Sequence, residues 1–261
     1  MKRIIFVILL SGLLGACQTT DGGSDNFKRS LNNTSHGYQV VTAPHPVRFG
    51  KVSERFEVRN GDCSSQDCAT DRERSELAGP RYSGGPHWYG WSFYVPKDHV
   101  NIFPTRTTLG QFHQGRSGQQ GLKPVFMFQN HGGGLWAERH VMGGVGVSKN
   151  LIPAVEFKGK WHDIVVKAVW ARSNEGEITV WVNGVEKYNF RGFTTLGYPV
   201  YLKYGVYRTS MVRYKIKYAK SFDTSDDTIV PTQIVYYDEV RHGRTRAEVD
   251  IRIIEKMGAG S

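Results

Sequence analysis

His162-Asp163-Ile164-Val165-Val166-Lys167-Ala168-Val169-Trp170, followed closely by Ile178-Thr179-Val180-Trp181-Val182-Asn183-Gly184-Val185-Glu186-Lys187-Tyr188-Asn189-Phe190, decides the fold class. In the first run Ile164, Val166, Ala168 and Trp170 recur at every second residue, with Asp163 and Lys167 between them. That period is the mark of a strand with one buried face. Asn183-Gly184 joins two further β-like runs, and a two-residue type I′ turn needs positive φ at both central positions, which Asn and Gly tolerate. The pair therefore predicts a hairpin. Working outward, short β-like runs bounded by Gly, Pro, Asn and Asp occur at Tyr38–Ala43, Val52–Val58, Arg72–Leu77, Trp88–Val95, Thr107–His113, Val125–Asn130, Leu135–Val141, Val200–Arg208 and Ile234–His242. No internal repeat and no long amphipathic helix is visible. So many antiparallel strands predict an all-β fold, a two-sheet antiparallel jelly roll.

Composition agrees. The 261 residues include 13 Phe, 13 Tyr and 6 Trp, enough aromatic surface to exclude a disordered chain. The 30 glycines argue against a helical bundle, because each costs about 1 kcal/mol in a helix interior. The apolar run Ile4 to Leu14 is interrupted by Ser11 and Gly12 and is too short to span a bilayer, which excludes a membrane-spanning bundle.

Met1-Lys2-Arg3 and the apolar stretch Ile4–Leu10 have the form of an export signal over residues 1–16. Leu14-Gly15-Ala16-Cys17 resembles a bacterial lipobox, which implies lipidation of Cys17 and attachment to a membrane through that lipid; a plain cut near Ala16 is the alternative. Gln18 after the cysteine, in place of Asp, favours the outer membrane. Residues 17–34 read as a flexible tether, 35–245 as the folded domain and 246–261 as a charged tail. In an oxidising compartment Cys63 and Cys68 of CSSQDC are expected to form a disulfide; a zinc pair lacks a second ligand pair. The formal charge is +10, and removal of Lys2 and Arg3 with the signal leaves +8. A basic exported protein seeks an anion, and outside the cytoplasm an acidic polysaccharide is expected rather than nucleic acid. A monomer is expected.

Three strand-like segments each present polar or ionisable groups on one face. In Arg72-Glu73-Arg74-Ser75-Glu76-Leu77 these are Arg72, Arg74 and Glu76; in Gln111-Phe112-His113 they are Gln111 and His113; in Tyr201-Leu202-Lys203-Tyr204-Gly205-Val206-Tyr207 they are Tyr201, Lys203 and Tyr207. Brought together they would line a groove for an acidic sugar chain. RSEL, QFH and YLKYGVY, in this order, resemble the three signature strands of polysaccharide lyases with a concanavalin A-like jelly roll. These are the alginate lyases of polysaccharide lyase family 7, with heparin lyase I and the glucuronan lyases as wider relatives. The resemblance covers roughly residues 35 to 245. Phe112 departs from the Ile or Val of the family 7 pattern, and Leu202-Lys203-Tyr204 from Phe-Lys-Ala.

The resemblance implies β-elimination from a uronate: the C5 proton is removed and the C4 oxygen leaves. Arg74, Gln111 and His113 would then stabilise the charge developing on the carboxylate. Tyr207 would be the general acid, and either His113 or Tyr207 the base, according to whether H5 and O4 lie on opposite sides or the same side of the sugar. A tyrosine base needs its pKa of about 10 lowered, a role expected of Arg74 and Lys203. Lys203, Arg72, Glu76, Arg208 and His131 are the expected substrate-binding residues, with Glu76 orienting Arg74. Arg208, Arg213, Lys215, Lys217 and Lys220, interleaved with Tyr214 and Tyr218, read either as sugar subsites or as a solvated strand face. No cofactor is expected; calcium on Asp223, Asp226 and Asp227 is the one hard-ligand alternative to a plain acidic loop. Two other functions compete. A jelly-roll glycoside hydrolase needs paired carboxylates, and Glu248, Asp250 and Glu255 offer them at irregular spacing. A non-catalytic carbohydrate-binding envelope lipoprotein would use the same groove.

Overall fold

A computed structural model of the protein describes residues 26–117, 121–140, 147–224 and 227–259. The export signal at 1–16, Cys17 and Asp226 lie outside the described residues. The chain folds into two seven-stranded antiparallel sheets that face each other as a jelly-roll sandwich. The first sheet runs, in spatial order, β1 (Lys28–Arg29), β4 (Arg72–Tyr82), β13 (Val200–Thr209), β6 (Arg106–Gln114), β7 (Phe126–His131), β8 (Gly134–Arg139) and β9 (Val147–Ile152). The second runs β12 (Val185–Arg191), β11 (Glu177–Val182), β10 (Trp161–Trp170), β5 (Gly84–Tyr94), β14 (Gln233–Gly243), β3 (Val52–Val58) and β2 (Tyr38–Thr42).

The run that decided the fold class is β10. Ile164, Val166, Ala168 and Trp170 are all buried in the core, as the period of two requires. Asn183 and Gly184 have φ of 51° and 81°, and Val182 pairs with Val185 across them, so the hairpin is formed. Between the sheets lie Phe56, Tyr89, Trp91, Phe93, Phe112, Phe128, Tyr204 and Tyr237. Each large apolar side chain buried there contributes roughly 1.5–3 kcal/mol. The tyrosine hydroxyls inside this layer are satisfied: Tyr237 donates to the carbonyls of Leu109 and Gly205, and Tyr204 donates to Glu54 at 2.7 Å.

Several segments depart from the sequence reading. Lys28–Arg29, within the span assigned to the tether, pairs with Leu77 and Ala78 as an edge strand. Its backbone does the pairing, so its polar side chains gave no signal, and the Phe27 ring holds it against Tyr204 with centroids 5.1 Å apart. The basic–aromatic stretch contains a helix, α3 (Val212–Tyr218), rather than a strand face; the Tyr214 and Tyr218 rings meet at 4.4 Å, an i,i+4 contact. The segment 246–261 carries helix α4 (Ile251–Gly258), anchored by buried Val249 and Ile251 and by Glu255, which binds Arg48.

Candidate active site

The outer face of the first sheet, turned away from the core, gathers the polar and ionisable residues that the period of two singled out. Cross-strand pairing orders them in rows. Arg81, Tyr201 and His113 form one row; Lys203, Gln111, Met127 and Glu138 the next; Arg74, Tyr207, Thr108, Gln129 and Trp136 a third; Arg72, Thr209 and Arg106 the last. Between the Lys203 and Tyr207 rows Gly205 breaks the register of β13 against β6. Its φ is +126°, and a Cβ there would stand 2.3 Å from the Ser75 carbonyl oxygen, so this position of YLKYGVY requires glycine. The irregularity re-aims the strand just before Tyr207.

Glu76 is the hub. Its carboxylate, 1% exposed, accepts from Gln111 Nε2 at 2.6 Å, Lys203 Nζ at 2.5 Å and Arg74 Nη1 at 3.0 Å. Burial pushes its pKa up, but the Lys203 and Arg74 charges and the donated bonds outweigh burial and hold it below the ordinary carboxylate range. Burial pulls the Lys203 ammonium down, against the attraction of Glu76. Arg74 is gripped from its other side by Asp67, which accepts from Nε at 2.5 Å and Nη2 at 2.7 Å, a bidentate pair. Asp67 stands on α1 (Gln66–Ala69), inside the loop closed by the Cys63–Cys68 disulfide. The guanidinium so fixed lies 4.3 Å from the centroid of the Tyr207 ring.

The two candidate proton-transfer groups differ in state. His113 Nδ1 is 2.9 Å from the Gln114 carbonyl oxygen, an acceptor only, so Nδ1 carries the proton and Nε2 keeps its lone pair. Burial, together with Lys203 and Arg74, lowers the His113 pKa below its ordinary value, so the ring is neutral at pH 7. The Tyr207 pKa is raised: burial pushes it up and outweighs the downward pull of Arg74 and Arg72. The expected lowering of this pKa is therefore not found in the free protein; the phenol keeps its proton. Tyr201 stacks between His113, at 5.4 Å, and the Arg81 guanidinium, at 4.4 Å.

Not every expected residue reaches this face. Arg208 lies between the sheets, fully buried, with Nε on Glu73 Oε2 at 2.5 Å and Nη1 on the Pro231 carbonyl at 2.6 Å. It follows Tyr207 directly, and the alternation that turns Tyr207 outward turns Arg208 into the core, away from the face that holds the other candidates. His131 shares the outer face with Gln129, half-exposed beside Phe103 at 5.5 Å. Arg72 also lies outward, half-buried. The hydrolase carboxylates are engaged in structure elsewhere. Asp250 caps α4 and binds Arg246, Glu255 binds Arg48, and Glu248 accepts from the Arg244 backbone. The sequence reading missed Asp67 and Arg81. The signal for Asp67 was an acidic residue inside a short disulfide loop, next in sequence to one of its cysteines.

The fold has relatives. The endo-β-1,4-glucuronan lyase of Trichoderma reesei superposes with a TM-score of 0.63 at 22% identity, over 88% of this chain and 96% of its own. A double-cysteine variant of alginate lyase A1-II′ superposes with a TM-score of 0.58 at 13% identity, over 84% of this chain and 95% of its own. These likenesses bear out the fold. No curated protein sequence matches the chain. The sequence profile of the polysaccharide lyases matches residues 20–241, most of the chain, and by that match the protein belongs to the polysaccharide lyase family.

Proposed function

We propose that the protein cleaves a uronate-containing acidic polysaccharide by β-elimination on the outer face of its first sheet. The observation that carries this reading is that one face holds a proton acceptor and a proton donor: His113, whose Nδ1 faces the Gln114 carbonyl and leaves Nε2 free to accept, and Tyr207, whose pKa burial raises so that its phenol is held as a donor. Tyr207 delivers its proton to the departing C4 oxygen. His113 takes the C5 proton where H5 and O4 lie on opposite sides of the ring. Where they lie on the same side, the Tyr207 oxygen takes it, which first requires loss of its own proton against burial; Arg74 and Arg72 are the charges that assist.

Two of the residues expected to neutralise the substrate carboxylate, Arg74 and Gln111, together with the substrate-binding Lys203, already hold an internal carboxylate. Arg74, Gln111 and Lys203 each give one N–H to Glu76 and each keeps at least one more. Glu76 thus aligns the donors, and their remaining N–H groups, preorganised and shielded from water, stabilise the dianion that develops as C5 loses its proton. The relatives named above are lyases of glucuronan and alginate, both uronate polymers, which supports the substrate class. In the proposed setting Cys17 carries a lipid that holds the enzyme at the outer membrane, and the protein acts as a monomer without a cofactor. The test is incubation of purified protein with polyglucuronate, polymannuronate, polyguluronate and heparin. Appearance of the ultraviolet-absorbing 4,5-unsaturated uronate is expected. New reducing ends without that chromophore would mean hydrolysis, and retained binding without cleavage would mean a carbohydrate-binding protein.

A further inference from the structure

Helix α3 (Val212–Tyr218) is apolar on two sides, and only one of them is covered. Toward the body, Tyr214 packs on buried Ile102, Met211 and Val230, a small cluster apart from the main core. The Val212 N–H donates to Asp71 Oδ2 at 3.0 Å and fixes the start of the helix. At about 100° per residue, Val212 and Ile216 fall on the side opposite Met211 and Tyr214. They are 46% and 51% exposed. Phe103 and Ile229, next in sequence to Ile102 and Val230 of that cluster, are 40% and 73% exposed. A surface helix ordinarily turns its apolar stripe to the core; here a second one faces water.

The charge is one-sided as well. Arg213, Lys215, Lys217 and Lys220 flank the exposed strip, and no acidic residue occurs from Val212 to Phe222; Asp223 and Asp227 follow. Among the described residues none of the four cations is in an ion pair. Lys217 Nζ lies instead over the Phe103 ring at 4.6 Å and the Tyr218 ring at 5.3 Å. A bilayer with an anionic surface and an apolar layer just beneath it complements both features at once. An acidic polysaccharide matches the charge but leaves Val212 and Ile216 in water.

We propose that Val212, Ile216, Phe103 and Ile229, flanked by Arg213, Lys215, Lys217 and Lys220, dock on an anionic lipid surface. The reach of the chain is compatible with a lipid on Cys17 entering the same bilayer. Lys28 pairs with Ala78, and Thr209, three residues before α3, pairs with Arg72. Those partners are six residues apart on β4, about 20 Å. The nine residues between Cys17 and Phe27 extend to about 30 Å at most. The contact also orients the enzyme. Because α3 follows β13 past the row of Arg72, Thr209 and Arg106, that end of the outer face is held toward the bilayer.

The test uses the chain from Gln18 onward, which lacks Cys17 and keeps every described residue. Its partition onto phosphatidylglycerol–phosphatidylcholine vesicles, and onto phosphatidylcholine alone, is measured by sedimentation at two salt concentrations. Binding to the anionic vesicles is expected, weakened by salt. Each cation near such a surface contributes about fivefold, so Lys215→Gln with Lys220→Gln should lower that partition about 25-fold. Val212→Ser with Ile216→Ser should lower it about tenfold, for lost apolar burial. The serine pair should keep the unfolding midpoint, because both side chains are exposed in the folded protein; if the midpoint falls, the lysine pair decides alone. No binding to anionic vesicles overturns the proposal, and so does wild-type partition in the lysine pair or in a stably folded serine pair. A lower kcat/KM of the serine pair on a soluble uronan also overturns it, by giving the strip to the substrate. Partition is read without turnover, so an inactive enzyme would sink the proposed function and leave this test standing.

Discussion

The Arg74 guanidinium lies 4.3 Å from the centre of the Tyr207 ring and is itself clamped between Asp67 and Glu76. A cation over an aromatic face is attracted by the ring quadrupole. Here both partners are largely buried, so the contact fixes where the phenol points as well as the field it feels. The chain of support runs from the Cys63–Cys68 loop through Asp67 to Arg74 and so to Tyr207.

Tyr207→Phe keeps the ring and its contact with Arg74 but removes the proton. If Tyr207 is the general acid, folding and polysaccharide binding should persist while turnover falls by about 10²–10⁴-fold, the usual contribution of a positioned proton donor. The readouts are release of unsaturated uronate, the thermal midpoint and a binding isotherm. A variant that keeps near wild-type turnover would assign the acid elsewhere.

Asp67→Ala removes the bidentate partner of a buried guanidinium. Breaking a buried ion pair on one side costs about 3–5 kcal/mol; Glu76 still accepts from Arg74, so a loss near about 3 kcal/mol is expected. Denaturant titration measures it. Turnover should fall with KM nearly constant, because Tyr207 loses its orientation while the remaining donors stay on Glu76.

Arg208 makes the opposite prediction. Its buried guanidinium is paired with Glu73 on the core side of the sheet. Arg208→Ala should destabilise the fold by about 3–5 kcal/mol, and whatever protein remains folded should show the wild-type KM. A raised KM at unchanged stability would restore Arg208 to the substrate.

These cases show what the sequence could reveal. Strand periodicity correctly put Arg74 with Glu76, Gln111 with His113, and Lys203 with Tyr207, because alternation is a property of the extended backbone itself. The same period read across Tyr207 and Arg208 opposes them; their common basic and aromatic character suggested a shared role that the backbone forbids. Nothing local could show that Glu76, from β4, would collect donors from three strands, since that depends on register. Nor could it show that burial would outweigh two arginines at Tyr207, since depth is a property of the packed sheet. The Asp250 and Glu255 carboxylates looked catalytic only while their partners Arg246 and Arg48 were unknown.

Glu54 should give stability a pH dependence that the active site does not share. It is buried between Tyr38 and Tyr204, whose hydroxyls both donate to it at 2.7 Å. Burial, against those bonds, raises its pKa from 4.5 to about 7. The folded protein therefore holds this proton between about pH 4.5 and 7, a window in which the unfolded chain releases it. Stability bound to that proton is fully present below pH 4.5, falls as pH rises through the window and levels off above about 7. The shift corresponds to about 3 kcal/mol. Glu54→Gln, with no proton to lose, should flatten this slope in denaturant titrations across the same range.

The acid limb of activity should report a different group. His113 must be neutral to accept the C5 proton, and burial with Lys203 and Arg74 keeps its pKa below the ordinary histidine value. For a substrate with H5 and O4 on opposite sides, kcat/KM should therefore persist to lower pH than an ordinary imidazole would allow, then fall as the ring protonates. Lys203→Met removes one of the charges that depress His113, so the acid limb should move to higher pH, and Arg74→Met should move it the same way. The measurement is kcat/KM against pH for wild type and variants at constant ionic strength. A limb that stays fixed in both variants would mean that another group, or another step, sets it.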